Sequence, residues 1–170
     1  MSNLLSLAHD TRGDLHICPR WPARRVHVDE LALRKLAAAQ AALPQGITLI
    51  LTRGYEPKAA RIGMARRQFR AVGTRVFRMC YPARTGEIAD IFGSNGHDID
   101  GTHIDVSFRV NGHRVRMLPL GVFTPPALQK RRAKRYAAAL AAVNSALLEQ
   151  GFRLHRNPTE RLQIHCDLIR

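Results

Sequence analysis

The sequence predicts an α+β fold, a single domain in which a small antiparallel sheet packs against flanking helices. Three observations carry that expectation. Apolar residues recur at helical spacing in the stretches 29–43 and 124–150, residues 102–110 and 161–168 alternate as strands do, and no internal repeat or low-complexity linker divides the chain. A length of 170 residues suits one domain, which buries roughly two thirds of its unfolded surface.

The first helix is expected in VHVDELALRKLAAAQAALPQG, with Asp29 as N-cap, Leu31, Leu36 and Leu43 among its apolar positions, and Pro44 and Gly46 ending it. ITLILTRGYEP follows as a short buried strand that breaks at Gly54 and Pro57. A basic helix is expected near KAARIGMARRQFRAVG, with Phe69 packing inward, and the segment after it, TRVFRMCYPARTGEIADIFGSNG, has no clear periodicity. THIDVSFRV and HRVRMLPL flank Asn111 and Gly112, the strongest short-range signal for a hairpin. TPPALQKRRAKRYAAALAAVNSALLEQG reads as the longest helix, capped by Thr124, with Tyr136, Leu140, Val143 and Leu147 on one face and Gly151 as its stop. Residues 161–168 form the last strand. Residues 1–46 are expected to pack as a segment and helix on a core spanning 47–170.

Charge and cysteine usage narrow the partners. The formal charge is +14, from 27 basic against 13 acidic residues, and lysine supplies only Lys35, Lys58, Lys130 and Lys134. So arginine-rich a surface attracts polyanions, which keeps nucleic acid open as a partner. Aromatic residues make up only 6% of the chain, however, and single-stranded RNA platforms need exposed aromatics between basic residues. No run of about 18 apolar residues predicts a membrane span. The N-terminus lacks a basic leader and long apolar run, so a cytoplasmic protein is expected. Cys18, Cys80 and Cys166 are odd in number and lack CxxC spacing, which suits reduced thiols that fill the core.

The chemistry concentrates in GSNGHDIDGTHIDVSF, residues 93–108. In a strand, His103, Asp105 and Ser107 share one face while Ile104, Val106 and Phe108 share the other. In LQIHCDL the same division sets His165 and Asp167 against Leu162, Ile164, Cys166 and Leu168. Polar groups beside a core must be paired or used, and imidazole with carboxylate is a ligand set suited to zinc. A plain turn built on Asn95, Gly96, Asp98, Asp100 and Gly101 is the simpler reading of the first half. A calcium loop is disfavoured because no glutamate follows at the required spacing.

The order of motifs resembles the zinc D-alanyl-D-alanine dipeptidases and their D,D-carboxypeptidase relatives. That family carries a GYRP-like turn, the pattern SxHxxGxAxD, an MG-x-FD-like segment, a helix ending in GF and a final ExxH strand. The corresponding stretches here are GYEP at 54–57, SNGHDIDGTHID at 94–105, RMLPLGVFTPP at 116–126, EQGF at 149–152 and LQIH at 162–165. The resemblance implies the fold shared by D,D-peptidases and hedgehog domains. It also implies a zinc ion held by His97, Asp105 and His165, with zinc-bound water as the nucleophile on a small peptide-like amide. His103 stands where the family has a small residue, and one residue too many separates His97 from Asp105, so His103 is an alternate ligand.

Two departures bear on catalysis. The family's general base falls on Leu162, which leaves Glu160, and secondarily Asp167, as the carboxylate near the metal. The family's arginine in the GYRP turn falls on Glu56, which leaves Arg53 to supply a cation. The resulting expectation is a zinc-dependent amide hydrolase. A zinc-binding relative with another reaction in small-molecule metabolism and a basic nucleic-acid-binding module are the alternatives.

Overall fold

The computed structural model describes residues 3–12, 14–56, 61–92, 100–115, 123–155 and 162–169. Four strands precede the first helix: β1 (Leu4–Ala8), β2 (Asp10–Arg12), β3 (Leu15–Ile17) and β4 (Arg25–Asp29). Next come α1 (Glu30–Ala41), β5 (Ile47–Arg53), α2 (Arg61–Cys80), a 3-10 segment over Pro82–Glu87 and the short α3 (Ile88–Phe92). The hairpin β6 (His103–Val110) and β7 (His113–Arg114) precedes α4 (Pro126–Arg135), α5 (Ala137–Glu149), β8 (Phe152–Leu154) and β9 (Ile164–Leu168). The fold is α+β, as the sequence predicts.

The main sheet runs in the order β2-β3-β5-β6-β9-β8, with β7 also paired to β6. Its neighbours are antiparallel except β3 and β5, which run parallel. β1 and β4 form a separate two-stranded antiparallel ribbon. The N-terminal segment therefore contributes two strands to the main sheet as well as the helix expected of it.

One face of the sheet is the core. Leu49 and Leu51 of β5, Ile104, Val106 and Phe108 of β6, and Ile164, Cys166 and Leu168 of β9 all belong to it. Leu36 and Ala39 of α1 and Val143 and Leu147 of α5 cover them, and the two helices touch each other. Asp29 caps α1 as expected, its side chain accepting from the backbone N–H groups of Leu31 and Ala32. In the hairpin, Asn111 and Gly112 both take positive φ, the geometry that lets a two-residue turn follow the strand twist.

Several expectations need correction. The C-terminal helical stretch is two helices, broken at Tyr136 with φ −107 and ψ 17, and α2, with 20 residues, is longer than either. Like charges four apart in α4, Lys130 with Lys134 and Arg131 with Arg135, weaken its last turn where the break falls. Thr124 does not cap; the N-cap is Pro125, without a side-chain bond. A residue before proline is driven extended, and Pro125 (ψ 135) precedes Pro126, so the helix begins one residue too late for the Thr124 hydroxyl.

Phe69 is 61% exposed and meets only the edge of the exposed Trp21, at 6.2 Å between ring centroids, among the described aromatic pairs. The residue of α2 that packs inward is Phe77, fully buried among Tyr81, Phe92 and Phe123. Eight residues at 3.6 per turn set Phe69 about 80° round the helix from that anchor. Of the three free cysteines, only Cys166 is buried; Cys18 is half-buried and Cys80 exposed.

Leu147→Ala, which empties a fully buried site, is expected to lower unfolding free energy in urea by about 2–5 kcal/mol. Phe69→Ala is expected to change it by no more than about 0.5 kcal/mol.

Candidate metal centre

The opposite face of the sheet is polar at its centre. β6 and β9 pair antiparallel, with His103 opposite Asp167 and Asp105 opposite His165. The strands alternate in step, so the register sets two histidines and two carboxylates in a checkerboard on one face. Between them, Ile104 opposite Cys166 and Val106 opposite Ile164 face the core.

Asp105 is completely buried and His165 is 5% exposed. The His165 Nδ1 and Asp105 Oδ1 atoms lie 2.7 Å apart. Gln163 Nε2 donates to Asp105 Oδ2 at 3.4 Å, and Arg53 Nη1 stands 4.0 Å from the same oxygen. A carboxylate without solvent requires such compensation, because an isolated buried charge costs several kcal/mol or more.

A local irregularity brings Arg53 there. Ile50 pairs with Ser107 and Leu51 with Val106, but the next partner of Asp105 is Arg53, so β5 carries an extra residue. Strict alternation would send residue 53 to the core face with Leu49 and Leu51; the bulge turns it to the polar face. The Thr52 hydroxyl donates to the Asp105 carbonyl at 3.0 Å and ties the bulge down. Arg53 Nη2 also donates to Glu56 Oε2 at 2.9 Å, so the acidic residue of the GYEP turn is paired with the arginine three positions before it.

Two further arginines approach this group. Arg20 Nη1 donates to Gln163 Oε1 at 3.2 Å. The Arg70 pKa is lowered, chiefly by burial and then by the charge of Arg53, with Glu56 and Asp105 acting in the opposite direction. Among the described residues, Arg20, Arg53 and Arg70 thus lie within electrostatic reach of one another and of Glu56 and Asp105.

A second constellation lies one step along the strands. Donor atoms of His103, His155 and Asp167 all fall within 4.8 Å of one another, a group able to hold a metal ion. His103 is buried, His155 is 41% exposed in its side chain, and Asp167 lies between. The rings of His103 and His155 are 4.9 Å apart at an interplanar angle of 31°. His155 Nε2 contacts Asp167 Oδ1, while Arg153 Nη2 donates to Asp167 Oδ2 at 2.7 Å.

Of the residues singled out from sequence, Asp105, His165, His103, Asp167 and Arg53 therefore share one face; His97 and Glu160 lie outside the described residues. His155 was missed. Its signal was present in GFRLH, where Phe152 and Leu154 alternate with Arg153 and His155, the same division that exposed the other two strands.

No protein-family model matches the sequence, and no curated protein matches it. Among the described residues, no helix is long and apolar enough to cross a membrane.

Cys166 lies between His165 and Asp167 but points to the other face, where burial, and then the charges of Asp105 and Asp167, push its pKa well above the ordinary thiol value. The thiolate is the reactive form. Iodoacetamide at pH 8 is thus expected to label the exposed Cys80 in the native protein and to reach Cys166 only after denaturation, as peptide mass mapping would show.

Proposed function

We propose that the protein is a zinc-dependent hydrolase of a small peptide-like amide, a divergent relative of the D-alanyl-D-alanine dipeptidases and D,D-carboxypeptidases. The reading rests on one observation above others: Asp105 and His165, buried and directly opposite each other, with the Arg53 guanidinium 4.0 Å from the carboxylate. Strands of purely structural duty have little reason to put a charged residue at a position with no solvent.

Two of the three donors have a spacing close to what the ion needs. Donors of a four-coordinate zinc at about 2.0–2.1 Å sit about 3.3 Å apart. Asp105 Oδ1 and His165 Nδ1, now 2.7 Å apart, need to part by only about half an ångström. Asp105 and His165 would hold zinc with His97, which the sequence alone nominates. When bound, zinc polarises the scissile carbonyl and lowers the pKa of water toward neutrality.

The protein's own groups have distinct duties in this reading. Arg53 orients the amide and stabilises negative charge developing on its carbonyl oxygen, the role that Glu56 cannot fill. Glu56 in turn holds the Arg53 side chain through its other amino group, fixing the direction of the cation. Arg20 and Arg70 make the surroundings attractive to a free carboxylate on a short peptide. Asp167 is engaged by Arg153 and His155, which favours Glu160 as the carboxylate that takes the proton from the attacking water.

A zinc-binding relative catalysing another reaction is the second reading, and Leu162 favours it. At the position of the family's general base stands a leucine 5% exposed within the apolar core.

In zinc-loaded protein analysed by elemental mass spectrometry, Asp105→Ala and His165→Ala are each expected to lose a zinc ion that the wild type retains. Arg53→Ala is expected to retain it and to lower kcat/KM toward D-Ala-D-Ala or a related amide by about 10²-fold or more. Retention of wild-type zinc by both ligand variants would refute the centre. Zinc lost in both variants, with no amide cleaved by the wild type, would select the second reading.

A further inference from the structure

We infer that His103, His155 and Asp167 form a second divalent-cation site, separate from the Asp105–His165 centre. The inference goes beyond the hydrolase proposal and does not depend on it, because all three donors are described residues with a defined geometry.

The site is built across three neighbouring strands. His103 comes from β6, Asp167 from β9 and His155 from the residue that follows β8. The register sets His103 against Asp167 and Arg153 against Asp167, while the His155 N–H donates to the His165 carbonyl at 2.8 Å. These backbone bonds fix where each donor starts. Around a four-coordinate ion the donors sit about 3.3 Å apart, so the close His155–Asp167 contact must open and the wider separations, at most 4.8 Å, must close. The half-exposed His155 side chain has the freedom to make that adjustment, whereas His103 is 8% exposed and held.

The carboxylate is already prepared for the task. Arg153 Nη2 donates to Asp167 Oδ2 at 2.7 Å and its Nε to Oδ1 at the longer distance of 3.4 Å, while Oδ1 also faces His155 Nε2. A ligating carboxylate is commonly oriented by a hydrogen bond of this kind to its second oxygen. Two imidazoles and one carboxylate suit zinc and neighbouring first-row divalent ions over magnesium or calcium, which take oxygen ligands. The exposure of His155 leaves a side of the site open to water or to an exchangeable ligand.

Magnitude separates this site from the other centre. Same-face positions two residues apart on a strand are about 6.6 Å apart, whereas bridged metal pairs sit at about 3.5–4 Å. Two ions one step apart along β6 and β9 would therefore be separate rather than bridged, each weakening the other's binding by charge repulsion. An ion held here also links β8, at the edge of the sheet, to β6 across the intervening β9. Its binding should stabilise the fold as well as fill the site.

The test is zinc content per chain, by elemental mass spectrometry, after chelator stripping, reloading with zinc and desalting. The full chain is compared with His155→Ala, Asp105→Ala, the milder Asp105→Asn and the double variant His155→Ala with Asp105→Ala, each checked for folding by circular dichroism. Two ions in the wild type, one in each single variant and none in the double variant are expected, with a zinc-dependent rise in Tm that His155→Ala diminishes. A His155→Ala protein holding as much zinc as the wild type would overturn the inference and leave the hydrolase centre standing. A single wild-type ion lost in His155→Ala but kept in both Asp105 variants would support this site and remove the other. A single ion lost in all of them would overturn the separation, since the residues would then share one centre; no zinc in the wild type would overturn both.

Discussion

The antiparallel register between β6 and β9 is the constraint from which the rest of the polar face follows. It is enforced from the other side of the sheet, where Ile104 meets Cys166 and Val106 meets Ile164 in the core beneath α1 and α5. A slip of one residue would turn those side chains out of the core and drive His103, Asp105, His165 and Asp167 into it. The loss of apolar burial, at roughly 25 cal/mol per Å², together with buried charge, forbids that alternative. Hydrophobic packing thus sets the positions of donors that it never touches.

The second determinant is the bulge in β5. Without an extra residue between Leu51 and Arg53, the arginine would enter the core face and Asp105 would lose its nearest cation. The bulge also sets Arg53 beside the acidic residue of the GYEP turn. Glu56 braces that arginine, and the side chains of Arg53 and Glu56 are 11% and 13% exposed, so solvent screens their pairing little. A buried carboxylate, a shared guanidinium and a paired glutamate form one electrostatic unit in which removing any member strands another.

Arginine elsewhere has a different logic. The run from Lys130 to Arg135 lies on α4, where Ala133 is the buried residue and the charges stand round it on the surface. Such a face repels other copies of itself, and its like charges four apart weaken the helix that carries it. On the polar face of the sheet, by contrast, Arg20 and Arg53 are held by Gln163 and Glu56.

Alternation is local, so the sequence by itself determined which residues of each strand share a face, the hairpin at Asn111 and Gly112, the Asp29 cap and the α+β class. It also separated His103 and Asp105 from their apolar neighbours, and His165 and Asp167 from theirs, before any pairing was known. What it could not determine was which residue of one strand stands opposite which of another. That depends on contacts about 60 positions apart in the chain, and these exist only once the core has closed. The tertiary structure alone therefore decided that Asp105 meets His165, that a bulge brings Arg53 to them, that His155 joins His103 and Asp167, and that Phe77 rather than Phe69 anchors α2. The break at Tyr136 stands between the two, because the like charges that weaken α4 are legible in the sequence whereas what the helix faces pack against is not.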